Sequence, residues 1–286
     1  MRDWIVPASN ITKSNQEIRM KINDLIYVYC MANGPPVPVH NTGIKGLRSL
    51  VFNDFCFIVK YVSESEFSEE NFKKNLSVTQ WLESNSREHI RIISMLMENY
   101  TVIPFKFGTI YSSKADLQKF TSDYSESLIE NFHHINGREE WSVKIYCNRK
   151  ALCEEIEELN EEATRLEKQI MASSPGKAFL LKRKKTDLIE DEVDRICKNY
   201  GREYFNDLRN LSESTNLNNL LPKKFTGRED TIILNATFLV SKIKVTDFKN
   251  TIDTMRNMDG KSGIVIEATG PWPPFSFISI KRQQAT

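Results

Sequence analysis

The chain has 286 residues, 40% of them apolar and 27% charged, with a formal net charge of +1. That is ordinary globular usage with room for about two domains, and the balanced charge argues against a nucleic-acid binder living on phosphate contacts. Five cysteines, an odd number without C-x-x-C spacing, read as free thiols of a reducing cytoplasm, and no run reaches the roughly 20 apolar residues of a membrane span.

Residues 1–23 read as a polar tail broken by Pro7, Ser9 and Asn10. Leu25 to Cys30 is short, aromatic and β-branched, which predicts a strand, and Asn33-Gly34-Pro35-Pro36 ends it. A second strand is expected over 55–62, with a short edge strand between, over 43–50. Phe72, Leu76, Trp81, Ile90, Ile93 and Leu96 recur at helical steps, with a start at Ser68. Val102 to Tyr111 reads as one strand bent at Pro104, with Phe105 and Phe107 on one face and Lys106 on the other. A helix follows over 114–133. Trp141, Val143 and Ile145 then alternate with polar residues, as in a half-buried strand.

The expected fold class is α+β in two domains. The first, 24–149, is ferredoxin-like: an antiparallel sheet with helices on one face. The second, 150–286, begins with a helical hairpin over 150–212. Leu152, Ile156, Leu159, Ala163, Leu166 and Ile170 form an a/d seam, Ser173-Ser174-Pro175-Gly176 breaks it, and Ile189, Val193, Ile196, Tyr200, Tyr204 and Leu208 form a second stripe. Residues 212–227 are polar and read as a loop. A small α/β unit spans 228–270, and a stiff tail spans 270–286. Its three prolines, Pro271, Pro273 and Pro274, remove three donors, so it must dock as an extended stretch rather than as a central strand. Both halves run helix, strand, helix, strand, a pattern consistent with a diverged duplication.

No catalytic, cofactor-binding or metal-binding residues are expected. His133 and His134 point about 100° apart on a helix, so they do not chelate one ion, and near a helix C-terminus they complement the dipole. Glu139 and Glu140 face opposite sides of a strand. The H-E-x-x-H, G-x-S-x-G and Walker patterns are absent from the sequence. His89 lies near the apolar stripe of the first long helix, where it reads as a semi-buried histidine making local hydrogen bonds.

Three segments carry a resemblance: Val102-Ile103-Pro104-Phe105-Lys106-Phe107-Gly108-Thr109-Ile110, Gly137-Arg138-Glu139-Glu140-Trp141-Ser142-Val143-Lys144, and Gly270-Pro271-Trp272-Pro273-Pro274-Phe275-Ser276-Phe277. In this order and spacing the chain resembles the gas vesicle protein family GvpF/GvpL. Tyr27-Val28-Tyr29, His89, Gly201 with Tyr204-Phe205, and Ala236-Thr237-Phe238-Leu239-Val240 fit as well. The chain departs from the family pattern where Lys106 replaces an arginine, Cys30 a glycine and Phe275 a tyrosine. A planar five-donor fork thus becomes a point charge at Lys106.

The resemblance implies a non-enzymatic assembly factor of gas vesicle formation, cytoplasmic or on the vesicle. It would bind the small apolar shell protein (GvpA type) and other accessory Gvp proteins, with incorporation as a minor vesicle component. It implies no cofactor, no nucleic acid and no membrane. Partner-binding candidates are Lys106, Phe107, Trp141, Trp272 and Phe275, and the expected surfaces are a sheet edge, the hairpin seam or the cleft between domains. The alternative is a tandem ferredoxin-like regulatory module that binds a small ligand or RNA.

Overall fold

The computed structural model describes residues 24–220, 222, 227–259 and 263–282, so the expected tail over 1–23 lies outside the described residues. The chain divides into two compact units. One runs to Gly137 and resumes at Trp272, and the other is Arg138–Pro271.

In the first unit, β1 (Asp24–Asn33), β2 (Leu47–Phe52), β3 (Phe55–Ser63), β4 (Val102–Pro104) and β5 (Ile110–Tyr111) form one sheet. The order is β2-β3-β1-β4, and β5 also pairs with β1. All these pairings are antiparallel. Three helices, α1 (Glu64–Phe67), α2 (Glu69–Asn75) and α3 (Thr79–Met97), separate β3 from β4, and α4 (Lys114–Ile135) follows β5.

The helices cover both faces of this sheet, where the sequence suggested one. Ile26, Val28, Phe57 and Ile103 pack with Leu117, Phe120, Leu128 and Phe132 of α4. On the other face Tyr27, Tyr29, Ile58 and Val102 pack with Phe67 of α1 and Ile92, Ile93 and Leu96 of α3. This explains the unbroken apolar run of β1, in which Ile26 to Ala32 are all buried, as expected of a strand covered on both sides. A β-bulge between Val28 and Cys30 leaves Tyr29 without a register partner on β3. The extra residue puts Tyr29 and Cys30 on the same α3 face.

Val102 to Tyr111 is two short strands rather than one. Pro104 ends β4, and a turn follows in which Thr109 N–H donates to the Lys106 carbonyl (3.1 Å) and Gly108 has φ +81°. The turn reverses the side-chain alternation. Phe105 therefore joins the α4-side core while Phe107 lies on the α3 side, which corrects the expectation that they share a face.

In the second unit the sheet order is β7-β8-β6-β9, made of β6 (Arg138–Cys147), β7 (Ser214–Leu217), β8 (Thr231–Ser241) and β9 (Ile264–Trp272). Strand β6 does not close the first sheet. It pairs antiparallel with β8 along its whole length, and so opens the second unit. The polar segment after residue 212 contains β7, paired from Ser214↔Leu239 to Leu217↔Ala236. Its polar side chains suit a half-exposed edge strand, and cross-strand pairing overrides its weak β propensity.

Helices α5 (Arg149–Leu159), α6 (Glu161–Met171), α7 (Pro175–Asn210) and α8 (Val245–Asp259) complete the unit. The expected single first arm of the hairpin breaks at Asn160, which ends α5 and caps α6 by accepting from Glu162 N–H (2.9 Å) and Ala163 N–H (3.0 Å). Helix α7, at 36 residues, is about 54 Å long. Its Ile189, Val193, Cys197 and Leu208 pack with Val143 and Ile145 of β6, Phe238 of β8 and Phe248 of α8 in one core. Four cysteines are buried and Cys153 is half-buried.

Candidate partner-binding site

Below the Phe105–Gly108 turn lies a chain of hydrogen bonds. His89 is 1% exposed. Its Nε2 is 2.9 Å from the Phe105 carbonyl and its Nδ1 2.9 Å from the Tyr27 hydroxyl. A carbonyl only accepts, so Nε2 carries the proton and Nδ1 accepts from Tyr27. The Tyr27 oxygen accepts in turn from Gly108 N–H at 3.2 Å. Both ends of the turn are thus tied to a helix and a strand distant in sequence, and the partners of His89 are not the local ones expected of it. Burial holds the His89 pKa down to about 4, against the pull of its bond to Phe105, so the ring is neutral near pH 7. Burial likewise raises the Tyr27 phenol well above its usual range. With both ring nitrogens engaged and no exposed edge, His89 positions the turn.

A second tie lies beside the first. The Glu88 carboxylate accepts from Tyr29 (3.1 Å) and pairs with Lys60 (2.8 Å), joining α3 to β1 and β3. Burial pushes the Glu88 carboxyl upward, but the Lys60 ammonium, the Tyr29 hydroxyl and the Arg91 charge outweigh it and hold the group below the usual carboxylate range.

Around the turn the rings of Tyr27, Phe72, Trp81 and His89 surround Phe107, with centroids 5.7 to 6.3 Å away. A Cβ at Gly108 would stand 2.4 Å from the Phe72 ring. Only glycine fits that approach and that φ. Lys106 projects outward, exposed, and its side chain makes no hydrogen bond or ion pair among the described residues.

The other candidates lie elsewhere. Trp141 is 5% exposed. Its indole N–H donates to Glu139 (3.2 Å), Phe248 lies 6.4 Å from its ring, and the backbone at Gly270 closes over it. Trp272 is 41% exposed. Phe275 packs at the margin of the α3-side core and Phe277 is buried, 6.5 Å from the His134 ring. From Trp272 on, the tail belongs to the first unit, and Phe275–Phe277 form a short 3-10 helix rather than the extended stretch the prolines suggested.

What holds that tail was not legible in the sequence. Asn131 donates to the Ser279 carbonyl (3.0 Å) and accepts from Ser279 N–H (2.9 Å). Ser127 accepts from Lys281 N–H (3.0 Å). Two polar residues on the inner face of α4 thus satisfy a passing backbone as a neighbouring strand would, while Ile278 and Ile280 join the α4-side core.

Among the described residues no cluster of three or more His, Cys, Asp or Glu could hold a metal ion. No helix among them is long and apolar enough to cross a membrane. The aromatics of β1 and the turn are covered by helices, so the first sheet lacks the exposed aromatic face on which an RNA recognition motif stacks bases. Its end strands are β2 and β4, and among the described residues no strand pairs the outer side of β2, where Val51 is 42% exposed.

Residues 25–279 match the model of a family described as gas vesicle synthesis protein GvpL/GvpF. The chain belongs to this family. Gas vesicle protein L of a Streptomyces species is 23% identical, with 92% of this chain and 96% of that protein covered. Gas vesicle protein F of Haloferax mediterranei is 20% identical, with 91% and 95% covered. Crystal structures of GvpF from an Anabaena species and from Microcystis aeruginosa share the fold. Their TM-scores are 0.67 and 0.64 at 18% and 17% identity, with 91% and 90% of this chain and 99% of each of those covered. The antiparallel α+β architecture is therefore that of GvpF. Membership in GvpL/GvpF gives the protein a role in gas vesicle formation.

Proposed function

We propose that this chain is a non-enzymatic accessory protein that works in the cytoplasm or on the vesicle. It binds the small apolar shell protein (GvpA type), holding it back from aggregation or seeding its ordered assembly. The observation that carries this reading is the open outer edge of β2 in a member of a gas vesicle family. An unpaired edge offers backbone donors and acceptors to an incoming strand, and Val51 offers apolar surface beside them. Exposed Lys106 and the half-buried Phe107, with Trp272 and Phe275, supply further proposed contacts. Trp141 is left out, because its ring is committed to the second unit's core.

The test is co-expression with the shell protein and affinity capture of this chain. Wild type should carry the shell protein with it, and Val51→Lys, which places a charge on the exposed edge, should reduce recovery several-fold with an unchanged melting temperature. Failure of wild type to retain the shell protein across a range of salt concentrations would refute direct binding. Unchanged recovery with Val51→Lys would refute the edge.

A further inference from the structure

The hairpin of the second unit separates its surface chemistry along its length. Around the turn from α6 to α7, Met171, Phe179 and Leu180 are 78%, 69% and 66% exposed. Lys168, Lys177, Lys182 and Arg183 stand among them, all exposed and in no salt bridge among the described residues. Single exposed apolar residues are commonplace on any surface. Three at one end of the hairpin, Met171 closing α6 and Phe179 and Leu180 in the second turn of α7, among cations that form no salt bridge among the described residues, form a patch that would gain from cover.

Further along the same hairpin, a groove runs between α5 and α7. Leu152, Ile156 and Leu159 line one wall and Ile196 and Tyr200 the other, with Glu155 and Glu192 at the rim. Leu159 is 75% exposed. The three α5 residues follow i, i+4, i+7 spacing and form one apolar stripe. Glu155 and its neighbour Glu158 are exposed and in no salt bridge among the described residues. The groove is thus the counterpart of the tip, an apolar floor with an acidic rim against an apolar knob with a basic one. A tip cannot fill its own groove, because Leu180 and Ile196 lie on one continuous helix, about 24 Å apart.

We propose that the hairpin tip of one copy seats in the α5/α7 groove of a second copy, so that the chain associates head to tail with itself. Phe179 and Leu180 cover the groove floor and Leu159. Lys177, Lys182 and Arg183 face Glu155 and Glu158, since Glu192 is already paired with Arg195. Each copy keeps one tip and one groove unused, so the contact is heterologous and does not stop at two copies. Its charged rim makes it weaken as salt rises.

The experiment is sedimentation velocity on the full chain at low ionic strength, with two surface variants. Wild type should show a weight-average mass that climbs with concentration past that of a dimer. Phe179→Glu/Leu180→Glu has lost its tip but keeps its groove, and Glu155→Lys/Glu158→Lys the reverse. Each alone should stay monomeric, and an equimolar mixture should form a dimer that grows no further, since one good tip meets one good groove. That restoration also shows that both variants are folded. A wild type that stays monomeric or halts at a dimer, or a mixture that stays monomeric, overturns the proposal.

Discussion

At Gly108 two constraints coincide. Its φ of +81° disfavours any side chain, and the space a Cβ would take is filled by the Phe72 ring. Both add to the cost of substitution. Gly108→Ala should lose about 2–4 kcal/mol of unfolding free energy in urea, and a loss below about 0.5 kcal/mol, the range of neutral surface changes, would mean that the turn can shift freely. His89 supplies a second prediction at this scale. Its folded pKa of about 4 lies below the usual 6.5. Between those values the unfolded chain binds more protons, so this contribution is fully present above pH 6.5 and is lost as pH falls toward 4. Between pH 7.5 and pH 5 that amounts to about 2 kcal/mol. Other groups titrate in the same range, so the comparison is with His89→Gln, whose stability should fall less over that interval by about this amount. Equal slopes for the two proteins would show that His89 is not held neutral by the fold.

Among the elements, legibility followed how much of each signal was local. Strand β1 and the stripe of α7 announced themselves, because burial on both sheet faces and along one helix side writes its period directly into the sequence. The turn residues from Phe105 to Gly108 and His89 stood out as a motif, but the bonds from His89 to Tyr27 and from Glu88 to Lys60 join residues far apart in sequence, which spacing does not reveal. The alternation of β6 disclosed a half-buried strand and nothing about its partner, so its place in the second sheet had to come from the fold. Strand β7 was invisible because an edge strand with polar side chains has no apolar period. Ser127 and Asn131 carry no sequence signal of their role, because polar residues on a helix ordinarily face water. They predict instead that Asn131→Ala removes both bonds to the Ser279 backbone, at a cost of about 1–3 kcal/mol. Hydrogen exchange at Ser279 and Lys281 should then accelerate by an order of magnitude or more. Unchanged exchange there would assign the docking of the tail to Ile278 and Ile280 alone.

For the whole molecule, the GvpF-like fold and membership in the GvpL/GvpF family place it in gas vesicle formation, and its surfaces suggest how it takes part. Helices cover both faces of the first sheet, and among the described residues the outer side of β2 is paired by no strand. The buried His89 chain reads as a brace for the Phe105–Gly108 turn, because both ring nitrogens are already bonded inside the protein. The reading of the chain as a binder of the small shell subunit therefore turns on that edge. Hydrogen–deuterium exchange on the full chain, with and without the shell protein, tests this most directly. The account predicts slowed exchange concentrated in Leu47–Phe52 when the shell protein is present, with little change across the buried strands β1 and β3. Slowed exchange elsewhere with none in β2, or no change anywhere in the chain, would contradict it.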